Sequence, residues 1–157
     1  MLEIERKFLM QGFPEGLSLL AEVEIEQGYV SIEPEVRIHT ARDLATGKID
    51  YRLTLKSDGA LTRKEIVTDV SQEFYEEARQ MLPAEPIKKI YRKYAYGSWV
   101  LEVCFVDGNT SDAFYYGEIE FGSEEEAHAF TPPEWFGEEV TDDARYKMKN
   151  YWKRTRG

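Results

Sequence analysis

Apolar and polar positions alternate one by one over most of this chain, and such alternation puts neighbouring side chains on opposite faces of a β-strand. The rhythm runs through residues 2–9, 23–32, 35–41, 49–56, 62–70, 88–96, 98–106 and 114–121. Turn residues separate several of these stretches, at Ala45-Thr46-Gly47-Lys48 and Ser57-Asp58-Gly59. Short strands joined this way predict an antiparallel meander, sandwich or barrel. Three segments leave the rhythm and predict helices. Residues 73–82 follow Ser71 as a cap and stop at Pro83. Residues 123–130 open on Ser123 with Glu126 three places on, the pattern of a capping box. Residues 141–154 read as one C-terminal helix with basic last turns, which suit the negative end of the helix dipole.

Composition narrows the class. A chain of 157 residues with 13% aromatic side chains has material for one well-buried domain, and no repeat, low-complexity tract or linker marks a second. Thirty acids against twenty bases give a formal charge of −10, which argues against a general nucleic-acid binder. The lone Cys104 rules out an internal disulfide and fits a reducing compartment. No secretory signal or membrane-length apolar run is visible, so a soluble, cytoplasmic protein without a membrane partner is expected.

The charges then take on a pattern. Glu3, Glu5 and Lys7 share one face of the first strand, Arg37 and His39 a face of the third, and Arg52, Thr54 and Lys56 a face of the fourth. Arg63, Glu65, Val67 and Asp69 follow, then Lys89, Tyr91 and Lys93, then Glu102 with Cys104, and last Glu118 with Glu120. For any one strand the simplest reading is the wet face of a half-solvated sheet. Taken together, however, the acids gather on the first and last strands while the strands between carry mainly Arg and Lys. If the sheet closed with these faces inward, the lumen would hold an acidic patch and a basic lining. Clustered carboxylates suit Mg²⁺ or Mn²⁺, and Arg and Lys suit phosphate oxygens. The two histidines, His39 and His128, lie far apart without cysteine nearby, so a zinc site of the usual ligands is not expected.

The opening Glu3-Ile4-Glu5-Arg6-Lys7-Phe8-Leu9 closely resembles the N-terminal signature of the CYTH superfamily, the triphosphate tunnel metalloenzymes. Gln27-Gly28-Tyr29, Val36-Arg37-Ile38, Leu53-Thr54-Leu55-Lys56, Arg63-Lys64-Glu65, Lys89, Glu102 and Gly117-Glu118-Ile119-Glu120 continue the match in order, and Glu139-Val140-Thr141 with Arg145-Tyr146 close it. The resemblance spans residues 1–157 as a single domain. It implies a mainly β (α+β) fold, a closed eight-stranded antiparallel barrel or tunnel with helices outside. It also implies metal-dependent hydrolysis of triphosphates, most simply inorganic tripolyphosphate, with class IV adenylate cyclase or nucleotide triphosphatase activity as one alternative and a polyphosphate- or nucleotide-binding module as another.

By position, Glu3, Glu5, Glu102, Glu118 and Glu120 would be metal-side carboxylates. Arg37, Lys56, Arg63 and Lys89 would grip phosphates, joined by Arg52 and Lys93 through strand parity. Glu5, Lys7 and Glu65 would be the catalytic groups, Glu65 either orienting basic residues or ligating metal. Four inward positions depart from the family pattern: His39, Val67, Tyr91 and Cys104 stand where Arg, a second acid, Arg and Asp are common. The implied partner is a small triphosphate; whether the chain forms a homodimer is open. The basic run 147–156 reads as a solvated helix end or as a plug near one tunnel mouth.

Overall fold

Every stretch of period-two patterning forms a strand in the computed structural model, which describes residues 2–156. The strands are β1 Leu2–Met10, β2 Leu19–Ser31, β3 Glu35–Asp43, β4 Ile49–Lys56, β5 Thr62–Asp69, β6 Ile87–Tyr96, β7 Trp99–Val106 and β8 Phe114–Glu120. They close into an antiparallel barrel in the order β1-β5-β4-β3-β2-β6-β7-β8. Closure leaves no sheet edge unpaired.

The wall inverts the usual distribution of polar and apolar residues. Outward side chains of β1, β6, β7 and β8 form the main dry core, with Phe8, Leu101, Val103 and Ile119 at most 1% exposed. Helix α2 (Glu124–Ala129) and the segment after it cover this face, bringing Ala127, Phe130 and Phe136 onto it. Arg6 also points outward and ties the layer down, donating to the carbonyls of Ala127 (2.9 Å) and Phe130 (2.7 Å) and pairing with Glu139 at 2.6 Å. Helix α1 (Gln72–Gln80) packs on β3 and β4, where Tyr75 lies 5.5 Å from Tyr51. Leu82, just past α1, sits so close to β2 that a Cβ on Gly28 would collide with its side chain.

Two helix expectations need correction. Ser123 caps α2 by accepting from the Glu126 amide at 3.1 Å, but the Glu126 carboxylate accepts from the Trp99 indole at 2.5 Å. The capping box is therefore half made, because a tertiary donor competes for its acid. The C-terminal segment is not one helix. A single 3₁₀ turn, Ala144–Tyr146, is capped by Asp143, and Lys147 is extended (φ −70°, ψ 133°) before α3 begins (Met148–Arg156). The reason is tertiary again. The Thr141 hydroxyl accepts from the Lys7 amide (2.9 Å), and the Tyr146 carbonyl accepts from Lys7 Nζ (2.6 Å), so these residues bind β1 and not their own helix.

Helix α3 closes one end of the barrel, so the plug reading of the basic run holds for its apolar face. Met148, Tyr151 and Trp152 pack with the inward Tyr29, Ile87, Val106 and Tyr116. Asp107, with a left-handed φ of 46°, latches the helix by accepting from the Tyr151 hydroxyl (2.6 Å) and pairing with Arg156 (3.0 Å). Among the described residues, no helix is long and apolar enough to cross a membrane.

Candidate active site

Between the α3 end and the far mouth, inward side chains of all eight strands surround a cavity of about 190 Å³. Glu3, Glu5 and Lys7 reach it from β1, Arg37 and His39 from β3, Lys56 from β4, and Arg63 and Glu65 from β5. Lys89 and Tyr91 come from β6, Glu102 and Cys104 from β7, and Tyr116 and Glu118 from β8. Strand pairing explains the grouping of acids. Glu5 lies opposite Glu120 and Lys7 opposite Glu118, while Glu102 lies opposite Glu118 on the other side.

The structure therefore gathers most of the residues proposed from the sequence. Arg52, Lys93 and Glu120 occupy the same strand faces but do not line the cavity. Each lies two or four residues from its cavity neighbour in the direction away from α3, and Arg52 is instead paired with Asp50 (3.1 Å) and Asp69 (3.4 Å). Parity identifies the right face of a strand, but not how far along the tunnel a residue falls. Val67 shares that fate and is 47% exposed.

Several lining residues carry no role in the sequence reading. Gln27, Tyr29 and Glu35 follow from parity with Arg37 once the barrel is closed. Thr141, Tyr146 and Lys147 could not be found that way, because they enter only through the broken C-terminal helix. Gly59 at the rim holds φ +142°, and a Cβ there would strike the Thr62 carbonyl, so the loop beside Arg63 depends on glycine.

The charges of opposite sign are engaged with one another. Lys56 Nζ sits 3.2 Å from both Glu3 and Glu65, and Arg63 lies 3.4 Å from Glu5, 3.7 Å from Glu3 and 3.9 Å from Glu35. Lys89 donates to the Tyr116 hydroxyl (2.9 Å) and the Gln27 side-chain carbonyl (3.2 Å). Lys7 Nζ stands 4.2 Å over the Tyr116 ring. Other polar atoms have nothing: Arg37 Nε, His39 Nδ1 and Thr54 Oγ1 are sealed from solvent without a hydrogen-bond partner. Buried unpaired polar atoms are costly, so three around one lumen indicate a site shaped for a ligand.

Burial in this polar lumen drives groups towards neutrality. The Glu5 carboxyl is held well above the usual range by burial and by the neighbouring Glu118 and Glu3 charges, and it hydrogen-bonds to Glu118. Burial acts on Glu118 as well, but Lys7 and the bond from Glu5 outweigh it and keep that carboxylate low. Within the pair Glu5 therefore takes up a proton more readily than Glu118. Glu102 is pushed up to about 7 by burial and Glu118, with Tyr91 as its hydrogen-bond partner. Burial lowers Lys89 to about 8 and raises the Cys104 thiol to about 11, so that free cysteine is an inert thiol at neutral pH. His39 is held down to about 3 by burial and by the positive charges of Arg37, Arg52, Lys89 and Lys56.

Glu5 and Glu118, with Glu3 and Glu102 beside them, offer oxygen donors of the kind a hard divalent cation takes. Among the described residues, no three His, Cys, Asp or Glu side chains are gathered tightly enough to hold a metal ion by themselves. The donor set suits a cation bound by one or two carboxylates that completes its shell with water and ligand oxygens, as Mg²⁺ does.

No protein-family model matches the chain. The chain is 38% identical over 155 residues to the inorganic triphosphatase of Nitrosomonas europaea, covering 95% of each chain. A crystal structure of an inorganic triphosphatase superposes with a TM-score of 0.67 at 34% identity, covering 94% of this chain and 95% of that one. A protein from Pyrococcus horikoshii shares the fold at a TM-score of 0.58 and 16% identity, covering 97% of this chain and 89% of the other.

Proposed function

The chain belongs to the triphosphate tunnel (CYTH) family, and on that footing we propose that it hydrolyses a phosphoanhydride bond of a triphosphate, most simply inorganic tripolyphosphate, with Mg²⁺ or Mn²⁺. One observation carries the reading: lysine and arginine are paired with carboxylates across a lumen that also holds unpartnered donors. A polyanion would take Lys56 and Arg63 from Glu3, Glu5 and Glu65, and would satisfy Arg37 Nε and Thr54 Oγ1. The carboxylates so released would need a replacement cation. A ligand that brings both charges at once, a metal–polyphosphate, meets both needs.

Arg37, Lys56, Arg63 and Lys89 would hold the phosphate chain from the basic side, Arg bidentately and Lys as point charges. Glu5 and Glu118, with Glu3 and Glu102 beside them, would hold the divalent cation. The bound ion would supply charge neutralisation and in-line orientation of phosphate oxygens. Glu65, freed from Lys56, would orient the attacking water. Lys7, held by the Tyr146 carbonyl beside Glu118, would stabilise charge that builds on the phosphoryl oxygens.

Phosphate release from tripolyphosphate is the direct test, measured with Mg²⁺, with Mn²⁺ and with excess chelator. Release that needs the metal and falls at least a hundredfold in Glu118→Gln supports the proposal. Binding without release at any metal concentration would leave only a binding module.

A further inference from the structure

His39 lies on the cavity wall, and its surroundings are unusual for a histidine. Its own strand β3 presents Arg37. Across one strand pairing β4 presents Arg52 directly opposite, with Thr54 and Lys56 along the same face. Across the other, β2 presents the neutral Gln27, and beyond it β6 contributes Lys89 and Tyr91. The charged groups that act on the imidazole most strongly are all cations. Among them Arg52 is balanced by Asp50 and Asp69 and Lys56 by Glu3 and Glu65, which leaves Arg37 and Lys89 as the cations without an ion pair among the described residues. Nδ1 is sealed from water and has no partner. A neutral imidazole is the only form this field tolerates, and whichever tautomer it holds, Nδ1 is unsatisfied.

An anion reverses each of these terms. Phosphate oxygens placed among Arg37, Lys56 and Lys89 would cancel the positive field on the ring and offer Nδ1 an acceptor. From this geometry we infer that His39 is a ligand-gated cation, neutral in the free tunnel and protonated when a polyphosphate binds, donating then from a charged Nδ1–H. The proton comes from solvent or from a terminal phosphate that enters partly protonated, and a new N–H bond forms at the ring as the ligand docks. The inference rests on the polyphosphate reading of the cavity. It gives this chain a pH-dependent affinity that an arginine at position 39 would lack, because arginine keeps its charge throughout.

The experiment follows the histidine signals by NMR on the full chain. There are two histidines, His39 and His128, so the resonance missing from His39→Asn identifies the first. In the free protein His39 should stay neutral at pH 6. With saturating tripolyphosphate it should be protonated at pH 6, its midpoint having moved up into the ordinary imidazole range, while His128 does not shift. Calorimetry adds an independent reading. The affinity of the wild type relative to His39→Arg should fall about tenfold between pH 5 and pH 7, the ratio cancelling the ligand's own titration. Tripolyphosphate that binds while His39 stays neutral, or a flat affinity ratio, overturns this inference alone. Tripolyphosphate that binds neither by itself nor with Mg²⁺ overturns both the inference and the functional reading beneath it.

Discussion

Strand β1 presents the two sides of the barrel wall in six residues. Outward, Ile4, Arg6 and Phe8 meet a dry aromatic layer in which the polar group is fully used: Arg6 makes four hydrogen bonds, to two carbonyls and to both oxygens of Glu139. Inward, Glu3, Glu5 and Lys7 meet a lumen in which burial raises the Glu5 carboxyl, lowers the Lys7 amine and leaves polar atoms without partners. The same backbone thus supports one face that is satisfied and one that is not. Folding energy comes mainly from the outside and from the α3 plug, while the inside keeps unsatisfied groups that a ligand can complete.

The comparison can be broken from either side. The largest effect should come from the outer face. Phe8→Ala removes a fully buried ring that packs 4.9 Å from Phe136, and should cost about 3–5 kcal/mol in urea unfolding. A cost below about 1 kcal/mol would mean the outer layer is not the main core. Next, Glu5→Gln copies the protonated form of Glu5 in shape. It should lower kcat/KM for triphosphate about a hundredfold, ~2.7 kcal/mol, while changing stability by less than about 1 kcal/mol. Equal losses of stability and activity would erase the distinction between the faces.

A smaller, pH-dependent effect belongs to His39. Its pKa is depressed when folded, to about 3, against 6.5 for an unperturbed ring, so the unfolded chain takes up the proton first as pH falls. Wild-type stability should therefore fall relative to His39→Asn as pH drops below about 6.5, by up to ~1.4 kcal/mol per unit, and tripolyphosphate should flatten the difference. Thermal melts of the two proteins between pH 5 and 8 would show it. Smallest is Tyr151→Phe, which removes the hydroxyl bond to Asp107 but leaves Arg156 on that carboxylate. It should cost about 1–2 kcal/mol in denaturant unfolding with little change in kcat, since the latch and not the lumen is touched.

The strands were legible because alternation is a local signal, and Ile49–Lys56 matches to the residue. Which face was interior was legible only through the segregation of Glu from Arg and Lys across strands. Distance along the tunnel was not, because parity is the same at every second residue, and Arg52, Lys93 and Glu120 lie two or four residues beyond the cavity on the right face. The C-terminal segment was misread for a different reason. Residues 141–154 have helical composition, but Thr141 and Tyr146 are held by Lys7, which lies over 130 residues away in sequence. The half-made capping box at Ser123 fails likewise, through Trp99. Long-range partners overrode local preference in both places.

That grip of Lys7 on Tyr146 also orders the protein's assembly in time. Glu3, Glu5 and Lys7 are synthesised ahead of Tyr146, which follows Lys7 by 139 positions. At ~5–20 residues per second, a ribosome needs on the order of ten seconds to supply that partner. Lys56, Arg63 and Glu65 emerge early enough to meet Glu3 and Glu5, but Lys7 must wait for β8 to bring Glu118 and for Tyr146 to bring its carbonyl. A nascent chain can therefore pair the bases of β4 and β5 with the acids of β1, but it cannot yet bring Glu102 and Glu118 to Glu5. The carboxyl cluster is complete only once β1 pairs with β8, and Lys7 is fixed in it only when Tyr146 arrives.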